Sequence, residues 1–249
     1  MATKPKGHRW MRGGLGIATI LGVVLLFPGS SAATVVQNTT IATTLKAPYS
    51  GLEYGYIFDS QTGCGTTIGV PVLPSFNLTT GQAHASVKET ARSCGTKNAS
   101  ADIEAFPELL ITSFTTSAGL HHIVARWVAT LSVALAASAG AAPQQAEAGF
   151  AVYESLELSD LTTGMDYFPS ILPTVSVYIL TGTYAQTYTK VHQTDYLNVT
   201  LSSTHSYEMF VDLVATTYVF ATPGTCTATA SLNIGSGSNH AVLSSVTGL

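Results

Sequence analysis

The run His122-Ile123-Val124-Ala125-Arg126-Trp127-Val128-Ala129-Thr130-Leu131-Ser132-Val133-Ala134-Leu135-Ala136-Ala137 decides the fold. Ile123, Ala125, Trp127, Ala129, Leu131, Val133 and Leu135 share one parity, while Arg126, Thr130 and Ser132 fall on the other. Side chains alternate across a strand, so the first set can line a core while the second meets thinner cover or solvent. A helix would need apolar residues at i, i+3, i+4 and i+7, and Arg126 and Thr130 would interrupt that face. The run exceeds a typical strand, so a bulge or bend is expected within it, in the small-residue half after Val133.

Outward from this run the same period recurs. Leu52, Tyr54, Tyr56 and Phe58 alternate with Glu53, Gly55, Ile57 and Asp59, giving a strand with an aromatic face. Tyr207, Met209, Val211, Leu213 and Ala215 form a second long alternation. Shorter strands are expected over 34–44, 107–116, 150–158, 175–185, 196–201 and 225–234, with 241–246 closing a sheet edge. Residues 61–101 are rich in Gly, Pro, Ser and Asn and read as loops with short strands such as 68–72. Residues 137–149, an Ala/Gln/Gly tract broken by Gly140 and Pro143, read as a loop.

Many strands separated by turn signals, with no long helical pattern, predict an all-β fold, an antiparallel β-sandwich or jelly roll. One large domain over 34–249 suits the length, with two smaller sandwiches as the alternative. Composition agrees. The chain has 35 Thr and 24 Ser but only 10 Lys+Arg, which favours pleated half-buried surfaces over exposed helices.

Residues 1–33 have the form of a cleavable secretory signal helix. Lys4, Lys6, Arg9 and Arg12 precede an uncharged run from Leu15 to Phe27, and Ser30-Ser31-Ala32-Ala33 supplies small residues for cleavage. Thirteen apolar residues cover about 20 Å, short of the ~30 Å hydrocarbon core of a membrane. Removing the leader takes four bases with it and leaves six Lys+Arg against 14 Asp+Glu, a net of −8. So acidic a chain is a poor partner for nucleic acid or anionic membrane, and no span follows the leader. The expected location is extracellular or at the cell surface, with glycans, other surface proteins or the chain itself as partners.

Three cysteines are present. In an oxidising compartment Cys64 and Cys94 are expected to pair, closing a loop of about thirty residues worth roughly 3–4 kcal/mol. Cys226 remains as a buried thiol. Asn38, Asn77, Asn98 and Asn198 each head an Asn-x-Ser/Thr sequon and are candidate glycosylation sites. The histidines show neither HxH nor HExxH spacing, so no metal site or cofactor is expected.

Ser206-Tyr207-Glu208-Met209-Phe210-Val211 resembles the nucleophile strand of the jelly-roll endoglucanases of glycoside hydrolase family 12, in which Tyr-Glu precedes a hydrophobic strand. That family places its acid/base Glu well downstream, whereas here only Asp212 follows Glu208 among carboxylates. The resemblance therefore implies a hydrolase only if Glu154 or Glu157, on another strand, supplies the second carboxyl that glycoside cleavage requires. The competing expectation is a non-enzymatic structural, adhesive or glycan-binding protein, presenting Thr, Ser and Tyr for hydrogen bonding and stacking.

Overall fold

The alternation around Trp127 is realised in full. In the computed structural model, which describes residues 39–40, 44–63, 65–93, 96–168 and 175–249, it lies within one 20-residue strand, Gly119–Ser138. The expected signal helix over 1–33 lies outside the described residues. Those residues contain fourteen strands and no helix. They are β1 (Thr39–Thr40), β2 (Thr44–Leu45), β3 (Leu52–Thr62), β4 (Thr66–Asn77), β5 (Gln82–Arg92), β6 (Ala99–Thr115) and β7 (Gly119–Ser138). The second half holds β8 (Ala146–Asp160), β9 (Met165–Tyr167), β10 (Val175–Ile179), β11 (Gly182–Leu201), β12 (Tyr207–Ala221), β13 (Thr227–Asn233) and β14 (His240–Thr247).

The strands form two sheets. Sheet I runs β1-β6-β12-β8-β10, with β3 also on β6 and β9 on β8. Sheet II runs β11-β7-β13-β5-β14-β2, with β4 on β5 and a further β7–β14 pairing. Every pairing is antiparallel except β1 with β6. The buried faces of both sheets meet in a single apolar cluster, to which Ile103, Leu109, Val211 and Leu213 contribute from sheet I and Val87, Trp127, Leu131 and Leu232 from sheet II. Trp127 lies edge-on to Phe76, centroids 6.1 Å apart at 82°. Tyr49 closes that corner, its hydroxyl donating to the Leu243 carbonyl at 2.8 Å.

Long strands must absorb twist, and they do so in their partners rather than in β7. Its neighbour β11 shifts register between Tyr188 and Val191, where Lys190 takes φ +54°. The second neighbour, β14, shifts between Leu243 and Ser245. The bulge expected after Val133 is therefore absent from β7, which keeps its alternation unbroken, with every odd residue from His121 to Ala137 buried.

Two further expectations are corrected. Residues 61–101 hold the full-length strands β4 and β5, joined at a tight turn where Asn77 Oδ1 accepts the N–H groups of Thr79 (2.9 Å) and Thr80 (3.1 Å). Gly81 completes the turn at φ +72°. The prolines tolerated in β4, Pro71 and Pro74, coincide with register shifts against β5, and the other side of β4 has no partner strand among the described residues, an edge position where a missing N–H costs least. Residues 241–246 do not close an edge. β14 lies inside sheet II beside β7, in line with β13, the two separated by the loop 234–239.

β6 begins eight residues earlier than expected, at Ala99, and carries Pro107 in its interior. The β6–β12 ladder skips Leu213 and Val214 opposite that proline, which has no N–H to donate. On its other side Gly55 of β3 faces Pro107, and a Cβ at Gly55 would collide with the Pro74 carbonyl of β4. Glycine is required there because the backbone of the second sheet leaves no room for a Cβ.

Candidate functional site

Charge is divided between the sheets. Of the 14 Asp and Glu, only Glu89 and Asp195 belong to strands of sheet II; all the others belong to strands of sheet I. No strand of sheet I carries Lys or Arg. Lys88, Arg92, Arg126 and Lys190 are all exposed and all on sheet II. Among the described residues the sole ion-pair contact is His205 Nδ1 with Asp160 Oδ2, at 2.7 Å. Burial works against ionisation of Asp160, but hydrogen bonds from His205, Thr163 and Thr162 outweigh it and hold the carboxyl below its ordinary range.

The strand register places the acids of sheet I on two faces. Odd residues of β12 are buried between the sheets, so Glu208, Phe210, Asp212, Val214, Thr216, Tyr218 and Phe220 take the outer face. Register then adds Glu157, Tyr153 and Glu147 from β8, Glu108, Phe106, Glu104 and Asp102 from β6, and Tyr54, Tyr56 and Phe58 from β3. The aromatic parity of β3 thus faces away from the core. Tyr54 stacks on Tyr56 at 5.8 Å, and Phe58 meets Phe106 edge-on at 5.3 Å.

This outer face has two zones. In the first, Glu108, Glu157 and Asp212 are buried. Burial, the Glu108 charge with its hydrogen bond, and then Glu157 hold Asp212 well above the usual carboxylate range. In the second zone Phe58 and Tyr178 are exposed and Asp102, Glu104, Glu147 and Tyr218 half-buried. Burial, then the charge of Asp102, raises Glu104 to about 7, with Tyr153 beside it moderating the rise. Burial raises Asp102 as well, against the opposing effect of Thr216.

Three more carboxyls lie between the sheets. Burial and the charge of Asp195 raise Glu154 to about 10. Burial raises Asp195 to about 6, although the Tyr196 N–H donates to its Oδ1 at 2.8 Å. Burial and Asp102 raise Glu89 to about 9. Thr217 and the Ile103 N–H lie near enough to temper that rise, yet neither reaches hydrogen-bonding geometry with either carboxyl oxygen of Glu89.

The candidate hydrolytic pairing is corrected in part. Glu154 pairs in register with Leu213 and is only 2% exposed, so it occupies the face opposite to Glu208. Glu157, paired with Phe210, shares the outer face with Glu208. Burial, then the charges of Glu157 and Asp166, raises Glu208. Asp212, Glu104, Asp102 and Asp195 were not singled out from the sequence. For Asp102 and Glu104 the signal is their i+2 spacing, masked by Pro107, which reads as a strand start.

Cys226 is a free thiol with no exposure, its Sγ 3.5 Å from Thr222 Oγ1. Cys64, Cys94 and Asn38 lie outside the described residues. The Cys64–Cys94 bridge stands as a proposal: mass mapping of a non-reduced digest is expected to show them linked, and a bridge containing Cys226 overturns the assignment. Asn77, Asn98 and Asn198 are all exposed. Asn198 faces His122 across β11 and β7, Nδ1 to Oδ1 at 2.5 Å. Among the described residues no group of three His, Cys, Asp or Glu has metal-holding geometry. Compared with family models, curated proteins and solved structures, the chain matches none.

Proposed function

We propose that this chain is an exported, non-enzymatic β-sandwich of the cell exterior, structural or adhesive, working through the outer face of sheet I. The fold reading joins both sheets into one sandwich over residues 34–249, with the leader removed on export. The observation that carries the function is the open zone itself, in which aromatic rings and carboxyls alternate across adjacent strands. Rings offer flat apolar area and carboxyls accept hydrogen bonds, a combination suited to sugar rings and to protein surfaces. The sequons are proposed to carry glycans at Asn77, Asn98 and Asn198, as well as at Asn38.

A second reading, glycoside hydrolysis, is favoured by one observation: Glu208 has Glu157 and Asp166 as electrostatic neighbours. Cleavage needs two carboxyls at about 5–5.5 Å for retention or about 6.5–9.5 Å for inversion. Glycan-array binding alongside polysaccharide hydrolysis separates the readings. Binding without release of reducing sugar is expected. Release that disappears in Glu208→Gln overturns the non-enzymatic assignment.

A further inference from the structure

The charge partition has a physical consequence. Outer faces of stacked sheets are separated by the ~10 Å between the sheets and by two layers of side chains. That exceeds the Debye length of about 8 Å at physiological ionic strength, so the acids of one outer face and the bases of the other are screened from each other. Within one molecule they cannot pair. Between two molecules they can.

We infer that the open zone of sheet I docks on the outer face of sheet II of a second copy, so that copies associate head to tail. The inference rests on the reading of the chain as a surface protein acting through its faces, and it names the partner. On the acidic side stand Asp102, Glu104 and Glu147, with the exposed rings of Phe58 and Tyr178 among them. On the basic side stand Lys88 and Arg92, on the parity of β5 opposite to the buried Ala85, Val87 and Ala91. Neither base has a carboxylate within ion-pair distance among the described residues. The surface around them is built from short side chains, Thr90, Thr229, Ser231 and Ala134, which let a second sheet approach closely.

Size is adequate. Five strands at about 4.8 Å and roughly eight residues at about 3.4 Å give on the order of 600 Å² per copy, about 1,200 Å² in all, the lower end of specific interfaces. Such a contact is weak singly and strongly dependent on salt. The two faces differ, so the contact is heterologous, and it builds an open array unless the rotation closes. An extended surface layer or fibre is what such a contact makes.

The test is sedimentation velocity of the purified protein at about pH 8, above the value of about 7 to which burial raises Glu104, so that the acidic face carries its charge. At about 0.02 M ionic strength the mean mass is expected to rise with protein concentration, and at about 0.5 M to fall to that of the monomer. The variant Lys88→Glu/Arg92→Glu, altered only at exposed positions, is expected to weaken association at least tenfold. The variant Asp102→Lys/Glu104→Lys/Glu147→Lys is expected to do the same, with Glu147→Lys/Tyr178→Lys in its place should the triple fail to fold. An equimolar mixture of the acidic and basic variants is expected to associate again, since each then presents the complement of the other.

A wild-type chain that stays monomeric at low salt overturns the inference, and so does a mixture that stays monomeric. Unimpaired association of the basic-face variant overturns it too, because sheet I would then be meeting sheet I. The reading of a surface protein is tested separately. A monomer that still binds glycans removes the head-to-tail partner alone, whereas sugar hydrolysis lost in Glu208→Gln removes the reading beneath it.

Discussion

The melting temperature is expected to be highest near pH 4 and to fall steadily toward pH 9. In an unfolded chain Glu ionises near 4.3 and Asp near 3.9. In the folded chain Glu154 keeps its proton to about 10, Glu89 to about 9 and Asp195 to about 6. The folded state therefore binds more protons than the unfolded state throughout this window. Stability is complete below the unfolded values and is lost as pH rises through the folded ones.

No cation among the described residues acts on these carboxyls. Burial and the charge of Asp195 act on Glu154, while burial, the Tyr196 N–H and the Leu156 backbone act on Asp195. One pKa unit corresponds to 1.36 kcal/mol, so a carboxyl that stays neutral in the fold loses about 3–4 kcal/mol of relative stability between pH 4.3 and 7. Glu154→Gln keeps the shape and removes the titration. It is expected to flatten the decline by about that amount, measured as urea midpoints at pH 4, 5.5 and 7. Stability constant or increasing from pH 4 to 7 would show that these carboxyls ionise in the fold.

The second large effect belongs to Trp127. It is 1% exposed, meets Phe76 edge-on, and sits midway along the 20-residue β7 with β14 on one side and β11 on the other. Trp127→Ala leaves a cavity that a cross-linked sheet core cannot collapse to fill, at a cost of about 3–5 kcal/mol. Trp127→Phe should cost much less, because the indole Nε1 has no hydrogen-bond partner among the described residues and its removal strands no polar group. Equal losses for both variants would show that ring volume alone does not account for the role of Trp127. A negligible shift of the unfolding midpoint in Trp127→Ala would place the ring outside the core.

Legibility followed the physics of each element. β7 and β12 were readable because their core parity is almost wholly apolar, and period-2 burial is imposed by backbone geometry whatever the partners. β4 and the first half of β6 were not. Pro71, Pro74 and Pro107 look like breaks, yet an edge position and a skipped ladder bond accommodate them, and both depend on which strand lies alongside. The candidate site divided in the same way. Glu208 was visible from its neighbours in the chain, but whether it faces Glu154 or Glu157 follows from a cross-strand register that local sequence does not encode.

The sequence by itself determined the all-β class, the parity of the long strands and the scarcity of bases, since each follows from residue type and spacing along one chain. Only the tertiary structure decided that the acids gather on one sheet and the bases on the other. Strands remote in sequence, β12 with β6 and β8, β13 with β5 and β7, become neighbours only once the sheets assemble. Charge segregation is a property of that adjacency and not of any single strand.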